Sequence, residues 1–211
     1  MCKRLLLLVA VFLTLMITAC SPAKLLTANE TEIYRRLHQK YSRMESYSAT
    51  VQVKIYSNKT ENRYVMTQQV KNPDLALITI TEPAALKGCK TLLDGDRVLV
   101  SAFPDETALS LPADSRPDAL LLNEFFSLYY KSEETALEIS SPAGDTGSIL
   151  LETACIPEEA HRYRMTLLCD TKTLEPKVLT VYDMGGNIQK QAEFLKFSYN
   201  PSFDSSVFMV Q

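Results

Sequence analysis

The fold class is decided by residues 45–57, which read ESYSATVQVKIYS in a chain of 211 residues. Apolar and polar side chains alternate along this segment, so that Val51, Val53 and Ile55 share one side while Lys54 lies on the other. A period of two is typical of a half-buried strand, because successive strand side chains point to opposite faces of a sheet. We therefore predict an antiparallel sheet with one face against a core.

A helix is predicted immediately upstream, over residues 29–44. Asn29 and Glu32 have the spacing of a capping box, the pair of reciprocal side-chain bonds that begins many helices. Apolar residues then recur every three or four positions, which is the period of one helix face. This face consists of Ile33, Leu37, Tyr41 and Met44.

Further strands, separated by turn residues, are predicted downstream. Residues 90–103 should form a hairpin around the Asp94-Gly95 pair, a dipeptide that favours the positive φ of a tight turn. Gly185-Gly186 marks another hairpin. The remaining predicted strands read RYVMTQQV, LALITIT, TALSL, ALEIS, SILLETACI, RYRMTLLCD, KVLTVYDM, IQKQAEFLKFSY and VFMV.

A second helix is predicted over residues 117–131, PDALLLNEFFSLYYK. Its polar residues share one stripe and almost every other side chain is apolar, so the helix should be buried over most of its surface. One helix, many strands, one apolar helix and more strands fit a long antiparallel sheet with a helix against its concave face. Short loops and evenly spaced Pro and Gly residues favour a single α+β domain that is mostly β.

The first 20 residues, MCKRLLLLVAVFLTLMITAC, have the pattern of an export signal. Lys3 and Arg4 precede an uncharged apolar run that is shorter than the ~20 residues needed to span a bilayer. Residues 17–20, with the sequence ITAC, resemble the lipobox of bacterial lipoproteins. That resemblance implies that diacylglycerol is attached to the Cys20 thiol, that residues 1–19 are cleaved as a signal peptide, and that Cys20 begins the mature chain.

On this interpretation a lipidated linker of residues 20–28 tethers one domain, residues 29–211, to the extracytoplasmic face of the cell membrane. Two acyl chains on Cys20 would give stable anchoring, whereas a single chain would be marginal. A plain signal peptide cleaved after Ala19, and an uncleaved anchor, are the alternatives.

Net charge and cysteine content narrow the possible partners. The formal charge of −3 includes Lys3 and Arg4, so removal of the signal, which has no acidic residue, leaves −5. An acidic chain argues against nucleic acid as a partner, because nucleic acid needs a basic face. After processing, three cysteines could form one disulfide with a spare, or three buried thiols. We expect buried thiols at Cys89, Cys155 and Cys169.

Residues of the usual catalytic and metal-binding patterns are sparse. The two histidines, His38 and His161, are far apart, and neither belongs to a zinc-protease or Cys/His zinc pattern. The run from Asp94 to Asp96 lacks the rest of a calcium loop. We therefore expect no catalytic residue, no metal ion and no cofactor.

Three stretches resemble the bacterial lipoprotein carriers LolA and LolB. They are SYSATVQ, LLDGDRVLVSAF and LEPKVLTVYDMGGNIQKQAEFLKFSYNPSFDSSVFMV. The resemblance covers roughly residues 29–210 and implies an open antiparallel half-barrel whose helices plug a hydrophobic hollow. It departs from the carriers at Asn72, where they have a basic residue, and in the absence of tryptophan. The residues predicted to line the hollow or to face a partner are Val51, Val53, Ile55, Leu121, Phe125 and Leu128.

The chain also resembles the germination lipoproteins of spore-forming clostridia, of the GerS type. The shared features are the lipobox, a short linker, a helix, an SY entry into the hairpin VQVKIYSNK, and KVLTVYD. Proteins of that family bind and license a cell-wall amidase that acts on the spore cortex, and are not themselves hydrolases. The resemblance therefore implies an extracytoplasmic protein partner. Binding or transfer of a lipid or acylated lipoprotein is the alternative, and an exposed sheet edge could pair two copies of the chain.

Overall fold

The computed structural model describes residues 26–57, 59–102, 107–112, 117, 119–140, 147–159 and 162–209. The chain divides into two compact units, residues 1–35 and residues 36–211. The α-helices of the described ranges are α1 (Ala28–Ser42) and α2 (Leu122–Lys131). The strands are β1 (Ser46–Tyr56), β2 (Glu61–Lys71), β3 (Leu75–Glu82), β4 (Lys90–Asp94), β5 (Arg97–Ser101), β6 (Leu109–Leu111), β7 (Thr135–Ser140), β8 (Ser148–Glu159), β9 (Arg162–Asp170), β10 (Pro176–Tyr182) and β11 (Ile188–Tyr199). Short 3-10 helices lie at Ala84–Leu86 and Ser205–Phe208.

The strands form one antiparallel sheet in the order β6-β5-β4-β3-β2-β1-β11-β10-β9-β8-β7. Strands that follow one another in sequence are therefore neighbours in the sheet, except β6 and β7, which form its two ends. At the centre the first strand pairs with the last. There Tyr47 of β1 lies opposite Val70 of β2 on one side and Tyr199 of β11 on the other. The sheet runs from β6 to β7 without closing, which confirms the predicted class of an open antiparallel half-barrel.

Alternation along β1 produces the buried face that the sequence predicts. Tyr47 and Val51 are fully buried and Val53 is 5% exposed, whereas Gln52 and Lys54 between and beyond them are half-buried. Burial of apolar surface is worth roughly 25 cal/mol per Å². Burial of Tyr47, Val51 and Val53 therefore stabilises the packing of β1 against the core.

Both helices contribute buried side chains to the unit of residues 36–211. In α1, Leu37 and Tyr41 are 1% and 4% exposed, as expected for the predicted apolar face. In α2, Phe125 is fully buried and Phe126 nearly so. The rings of Tyr41 and Phe126 stack with centroids 4.2 Å apart, so aromatic contact joins the two helices.

The capping box of α1 is formed by a different pair from the one predicted. The Thr27 N–H donates to the Glu30 carboxylate at 2.7 Å, and the Glu30 N–H donates to the Thr27 hydroxyl at 3.2 Å. The helix accordingly starts at Ala28, and the prediction of Asn29 and Glu32 as the cap was wrong. Glu32 instead accepts a hydrogen bond from Arg35, one turn further along the helix.

Two predicted elements differ from the structure at their boundaries or in their type. The second helix begins at Leu122 and not at residue 117, because Leu120 has a φ of +53° and Leu121 is extended. Neither conformation continues into a helix. The predicted closing strand VFMV was also wrong, since Ser205–Phe208 form a 3-10 helix in which the Asp204 side chain accepts from the Ser206 N–H.

The three cysteines of the described residues, Cys89, Cys155 and Cys169, form no disulfide, but only two of them are buried as predicted. Cys155 is 1% exposed and Cys169 is fully buried. Burial raises the pKa of the Cys169 thiol to about 12, which keeps it protonated at neutral pH. Cys89 is half-exposed and donates to the Ala102 carbonyl, so its prediction as a buried thiol was wrong. His161 lies outside the described residues.

Candidate functional site

The beginning of α2 is fixed to the sheet by a buried polar network. The Tyr47 hydroxyl lies 3.1 Å from Oε1 of Gln68 and accepts from the Leu122 N–H at 3.2 Å. Nε2 of Gln68 donates to the Ala119 carbonyl at 2.9 Å. Burial raises the pKa of the Tyr47 hydroxyl far above its ordinary value, so this group stays a neutral donor and acceptor. The network satisfies a backbone N–H that the first turn of a helix leaves without an intrahelical partner.

The end of α1 is fixed to the sheet by side chains of its last turns. Lys40 Nζ donates to the Thr173 carbonyl at 2.9 Å, and the Tyr41 hydroxyl donates to the Leu174 carbonyl at 2.8 Å. The Tyr199 hydroxyl donates to the Lys40 carbonyl at 2.7 Å. Burial lowers the pKa of Lys40 and raises that of Tyr41. The orientation of this segment therefore depends on the turn that carries residues 173 and 174.

A groove of about 780 Å³ lies between these two fixed segments. It is lined by the last residues of α1, the turn between β2 and β3, one side of α2 and the first residue of β9. Its apolar part comes from aromatic and aliphatic side chains of both helices. The lining residues are Tyr41, Ser42, Met44, Asn72, Pro73, Asp74, Asn123, Glu124, Phe126, Ser127, Leu128, Tyr130, Lys131 and Arg162.

Three polar atoms of the groove are buried without a hydrogen-bond partner among the described residues. They are Oδ1 of Asn72, Oδ1 of Asn123 and Nε of Arg162. The amide nitrogens of both asparagines are used within the protein, since Asn72 donates to the Met44 carbonyl and Asn123 donates to the Pro73 carbonyl at 3.0 Å. These bonds fix the two amide planes and leave their oxygens as acceptors. All three atoms lie beneath the surface of the groove, each with less than 1 Å² of accessible area.

The charges of the groove are separated along α2. Glu124 lies in the first turn of the helix and Lys131 in its last turn. The bond from Asn123 to Pro73 places the β2–β3 turn, with Asp74, beside the first turn. The acidic end of the groove is therefore where α2 begins.

Arg162 lies at the opposite end. The Ala154 N–H donates to the Glu134 carbonyl, three residues beyond Lys131, and Ala154 pairs in the sheet with Arg164. Since Arg162 is two residues from Arg164 on β9, it belongs to the side where α2 ends. Both Lys131 and Arg162 line the groove.

The six residues predicted to line a hollow or face a partner lie in different places. Leu121, Phe125 and Val51 are fully buried, and Val53 is nearly so, which puts all four in the core. Ile55, further along the same face of β1, is half-buried. The last of the six, Leu128, lines the groove.

The polar residues of the groove were missed as site residues by reasoning from sequence. In the sequence, Asn72 is distinguished only as the replacement of a basic residue of the carriers, and Asn123 only as part of the polar stripe of a helix. Arg162 had no distinguishing signal. Their positions in the chain are far apart, and only the fold brings them to one groove.

Within the described part of the chain, no group of three His, Cys, Asp or Glu residues is arranged to hold a metal ion. None of the helices in this part has the length and apolarity that crossing a bilayer demands.

Comparison with known proteins gives one family and a set of solved structures. A family model described as "Sporulation protein YdcC-like" matches residues 2–208. No curated protein matches the chain. An uncharacterized conserved protein from Thermus thermophilus has a TM-score of 0.52 at 14% identity, covering 86% of this chain and 93% of that protein. This match shows that the two proteins share a fold.

Two other solved structures come from the two groups of proteins that the sequence resembles, the germination lipoproteins and the lipoprotein carriers. The GerS lipoprotein of Clostridioides difficile, solved in complex with the CwlD amidase, matches with a TM-score of 0.49 at 22% identity, covering 84% of this chain and 100% of that one. A LolA superfamily protein from Nitrosomonas europaea matches with a TM-score of 0.46 at 14% identity, covering 88% and 99%.

Proposed function

This chain belongs to the sporulation protein YdcC-like family, and we propose that it is a non-enzymatic lipoprotein that acts in sporulation or germination by binding a partner protein. Diacylglycerol on Cys20 would hold it at the extracytoplasmic face of the cell membrane. The partner we propose is a cell-wall amidase of the spore cortex, which the chain would license. The sequence resemblance to the germination lipoproteins supports this choice of partner.

The observation that carries the proposal is the way α2 fills the concave face of the sheet. Leu121, Leu122 and Phe125 are all fully buried, and the Tyr47 network fixes the start of the helix. A carrier needs a hollow that its cargo can enter, whereas here the protein's own side chains occupy this part of the face. Cores of this kind are close-packed and do not open without cost. Binding through an exposed surface is therefore favoured over carriage of a lipid.

The test uses the full chain, tagged at its own locus, in sporulating cells of its source. After crosslinking, we expect a cell-wall amidase to co-purify with it. We also expect a deletion strain to lose the amidase-dependent change in cortex peptidoglycan, measured by mucopeptide analysis. Cortex modification that stays intact in the deletion strain would refute the licensing role.

Lipid binding is the second candidate, and one observation favours it. Ile55, Met66 and Phe194 are half-buried, although they share the face of β1 that is fully buried at Val51. These three side chains could contact an acyl chain. Native mass spectrometry of the purified lipoprotein, and uptake of a fluorescent fatty acid, would test this. A preparation with neither bound lipid nor uptake would leave only the protein-binding role.

Pairing of two copies through a sheet edge is a further proposal about assembly. The strands β6 and β7 end the sheet, and end strands offer backbone N–H and C=O groups to another strand. Light scattering on the purified full chain would measure the mass, and a monomer at all accessible concentrations would rule the pairing out.

A further inference from the structure

One end of the sheet is a strand whose outer edge is suited to pairing with another strand. β7 has six residues, of which the exposed ones are Thr135, Ala136, Glu138 and Ser140. Its only charged residue is Glu138, and it has neither Pro nor Lys, which natural sheets use to protect their edges. The strand at the other end, β6, has only three residues and offers few groups to a partner. Of the two ends, β7 is therefore the one suited to receive a strand.

The ladder between β7 and β8 determines which backbone groups of β7 point outward. The Ala154 N–H donates to the Glu134 carbonyl at 3.2 Å, and these two residues lie opposite each other where the β7–β8 register continues. In an antiparallel pair, hydrogen-bonded and non-hydrogen-bonded positions alternate. The even-numbered residues of β7 therefore direct their N–H and C=O groups at β8. The odd-numbered residues, Thr135, Leu137 and Ile139, direct theirs to the outer edge.

Charge selects one register for the pairing of two copies of β7. In a symmetric pair that keeps the core on one side of the sheet, the two strands run antiparallel. With Leu137 opposite Leu137 of the second copy, Thr135 lies opposite Ile139, and every outward N–H meets an outward carbonyl. Glu138 then lies opposite Ala136. The neighbouring registers place Glu138 opposite a glutamate, either Glu138 or Glu134 of the second copy, and like charges directly opposite each other destabilise a sheet.

We propose that two copies of the chain pair antiparallel through β7, with Leu137 opposite Leu137 of the second copy and Ala136 opposite its Glu138. Leu137 is half-buried beside the fully buried Leu151 of β8, so the two Leu137 side chains would meet on the core side of the joined sheet. The small Ala136 leaves room for Glu138 on the other side. The inference rests on the proposed pairing of two copies, to which it adds the strand and the register.

Disulfide trapping distinguishes the registers, because a bridge needs Cβ atoms about 4 Å apart. Non-hydrogen-bonded pairs, whose Cα atoms are about 4.5 Å apart, bring opposite side chains closest. Ala136→Cys and Glu138→Cys, carried by two differently tagged copies of the full lipoprotein in one cell, should therefore crosslink to each other on mild oxidation. Neither variant should crosslink when it is expressed alone. Both are made in a Cys89→Ala background, which lacks the half-exposed thiol and is itself the uncrosslinked control.

Each crosslinking result decides a separate point. A covalent dimer that carries both tags, with the bridge between residues 136 and 138 identified by mass spectrometry, would support the register. Crosslinking of Ala136→Cys alone, or of Glu138→Cys alone, would refute it in favour of a shifted pairing. If no combination crosslinked, pairing through β7 would be overturned.

A proline at the edge tests the outward N–H groups while leaving the β7–β8 ladder intact. Thr135→Pro removes an N–H that points away from β8, a position in an edge strand where proline is tolerated. The change removes one hydrogen bond from each copy, so we expect dimerisation of the purified lipoprotein to weaken about tenfold in analytical ultracentrifugation. Thr135→Ala keeps the N–H and should dimerise as the wild type does. If Thr135→Pro dimerised equally well, with unchanged circular dichroism, the outward groups of β7 would not form the contact.

Failure of this inference is separable from failure of the proposed function. If the full chain forms a dimer that the cysteines do not trap and the proline does not weaken, the assignment to β7 is refuted while pairing of two copies stands. If an amidase co-purifies with a chain that is only monomeric, the inference is refuted and the partner-binding role stands. If the β7 dimer forms while no amidase co-purifies from sporulating cells, the inference is supported and the proposed role fails.

Discussion

A single carboxylate, that of Asp170, organises the turn that receives the end of α1. Its Oδ1 accepts from the Lys172 N–H at 2.8 Å and the Thr173 N–H at 3.0 Å, and its Oδ2 lies 2.9 Å from Lys177 Nζ. The pKa of Asp170 is lowered to about 2, mainly by the hydrogen bond from the Thr173 N–H and then by Lys177. The turn holds Leu174 at a φ of +58°, with its carbonyl in position to accept from Tyr41.

Asp170→Asn should lower the free energy of unfolding at neutral pH by about 1–2 kcal/mol. Because the folded pKa lies below the unfolded value, the stabilisation is complete above about pH 4 and is lost as the pH falls towards about 2. The difference between wild type and variant in urea unfolding should therefore shrink over that range. Asp94→Asn, in an exposed turn, controls for the loss of one negative charge. If the free energy of unfolding differed between wild type and Asp170→Asn by the same amount from pH 7 to pH 2, the stabilising role of the Asp170 carboxylate would be contradicted.

Tyr47→Phe should remove the hydroxyl that links β1 to the start of α2. The change leaves Oε1 of Gln68 and the N–H of Leu122 buried without their partner. Leaving a buried polar group unpaired costs about 1–3 kcal/mol, so we expect a loss of that size in the free energy of unfolding. Chemical denaturation followed by circular dichroism measures it. Tyr56→Phe, on the same strand but half-buried, is the control, and an equal effect of both changes would argue against the network.

At the scale of elements, α2 determines whether the concave face of the sheet is covered by a packed core or left as an empty hollow. The buried side chains of the helix contribute to the core, most of its other residues line the groove, and Phe126 does both. The buried residues are Leu122, Phe125, Phe126 and Tyr129. The same ten residues thus stabilise the fold and shape the candidate binding surface.

Phe125→Ala should cost about 3–5 kcal/mol in the free energy of unfolding, because it removes a fully buried aromatic ring. Ser127→Ala, exposed on the same helix, should change it by no more than about 0.5 kcal/mol. Urea denaturation of the two variants checks the contrast. If Phe125→Ala lowered the free energy of unfolding no more than Ser127→Ala does, α2 would not be part of the packed core.

The existence and type of most helices and strands could be predicted from sequence, but their boundaries were predicted less well. Strict alternation in residues 45–57 and the apolar face ending at Met44 are local patterns, and both are present in the structure. The start of α2 was missed because Leu120 has a positive φ that a leucine rarely adopts, and no sequence signal marks it. The strand predicted at VFMV was wrong because the side chain of Asp204 caps the 3-10 helix Ser205–Phe208.

The candidate site was the part least accessible to sequence reasoning. Asparagine and arginine are ordinary surface residues, and nothing in their local sequence shows that their polar atoms will be buried. Only Leu128 among the predicted residues reaches the groove. Unsatisfied groups arise when distant segments meet, so they depend on the packing of the whole unit.

At the scale of the whole molecule, Cys20→Ala should release the protein from the membrane. The variant lacks the thiol that the lipobox resemblance assigns to acylation, so it should appear in the soluble extracytoplasmic fraction and take up no alkyne-labelled palmitate. Cys89→Ala, which alters a half-exposed thiol elsewhere, should remain membrane-bound and labelled. Fractionation with click-chemistry labelling separates the two results. A labelled, membrane-bound Cys20→Ala protein would refute the anchor.

The pairing of β1 with β11 has a consequence for how the molecule is made. Most of the chain lies between these two strands, so β1 leaves the ribosome long before its second neighbour exists. Until then one side of β1 is an uncovered edge that could pair wrongly. A chain cut short before residue 188 would contain two separate meanders, and synthesis of the final strand is the event that unites them. Any chaperone that recognises an uncovered β1 would in effect report whether β11 had been synthesised and paired.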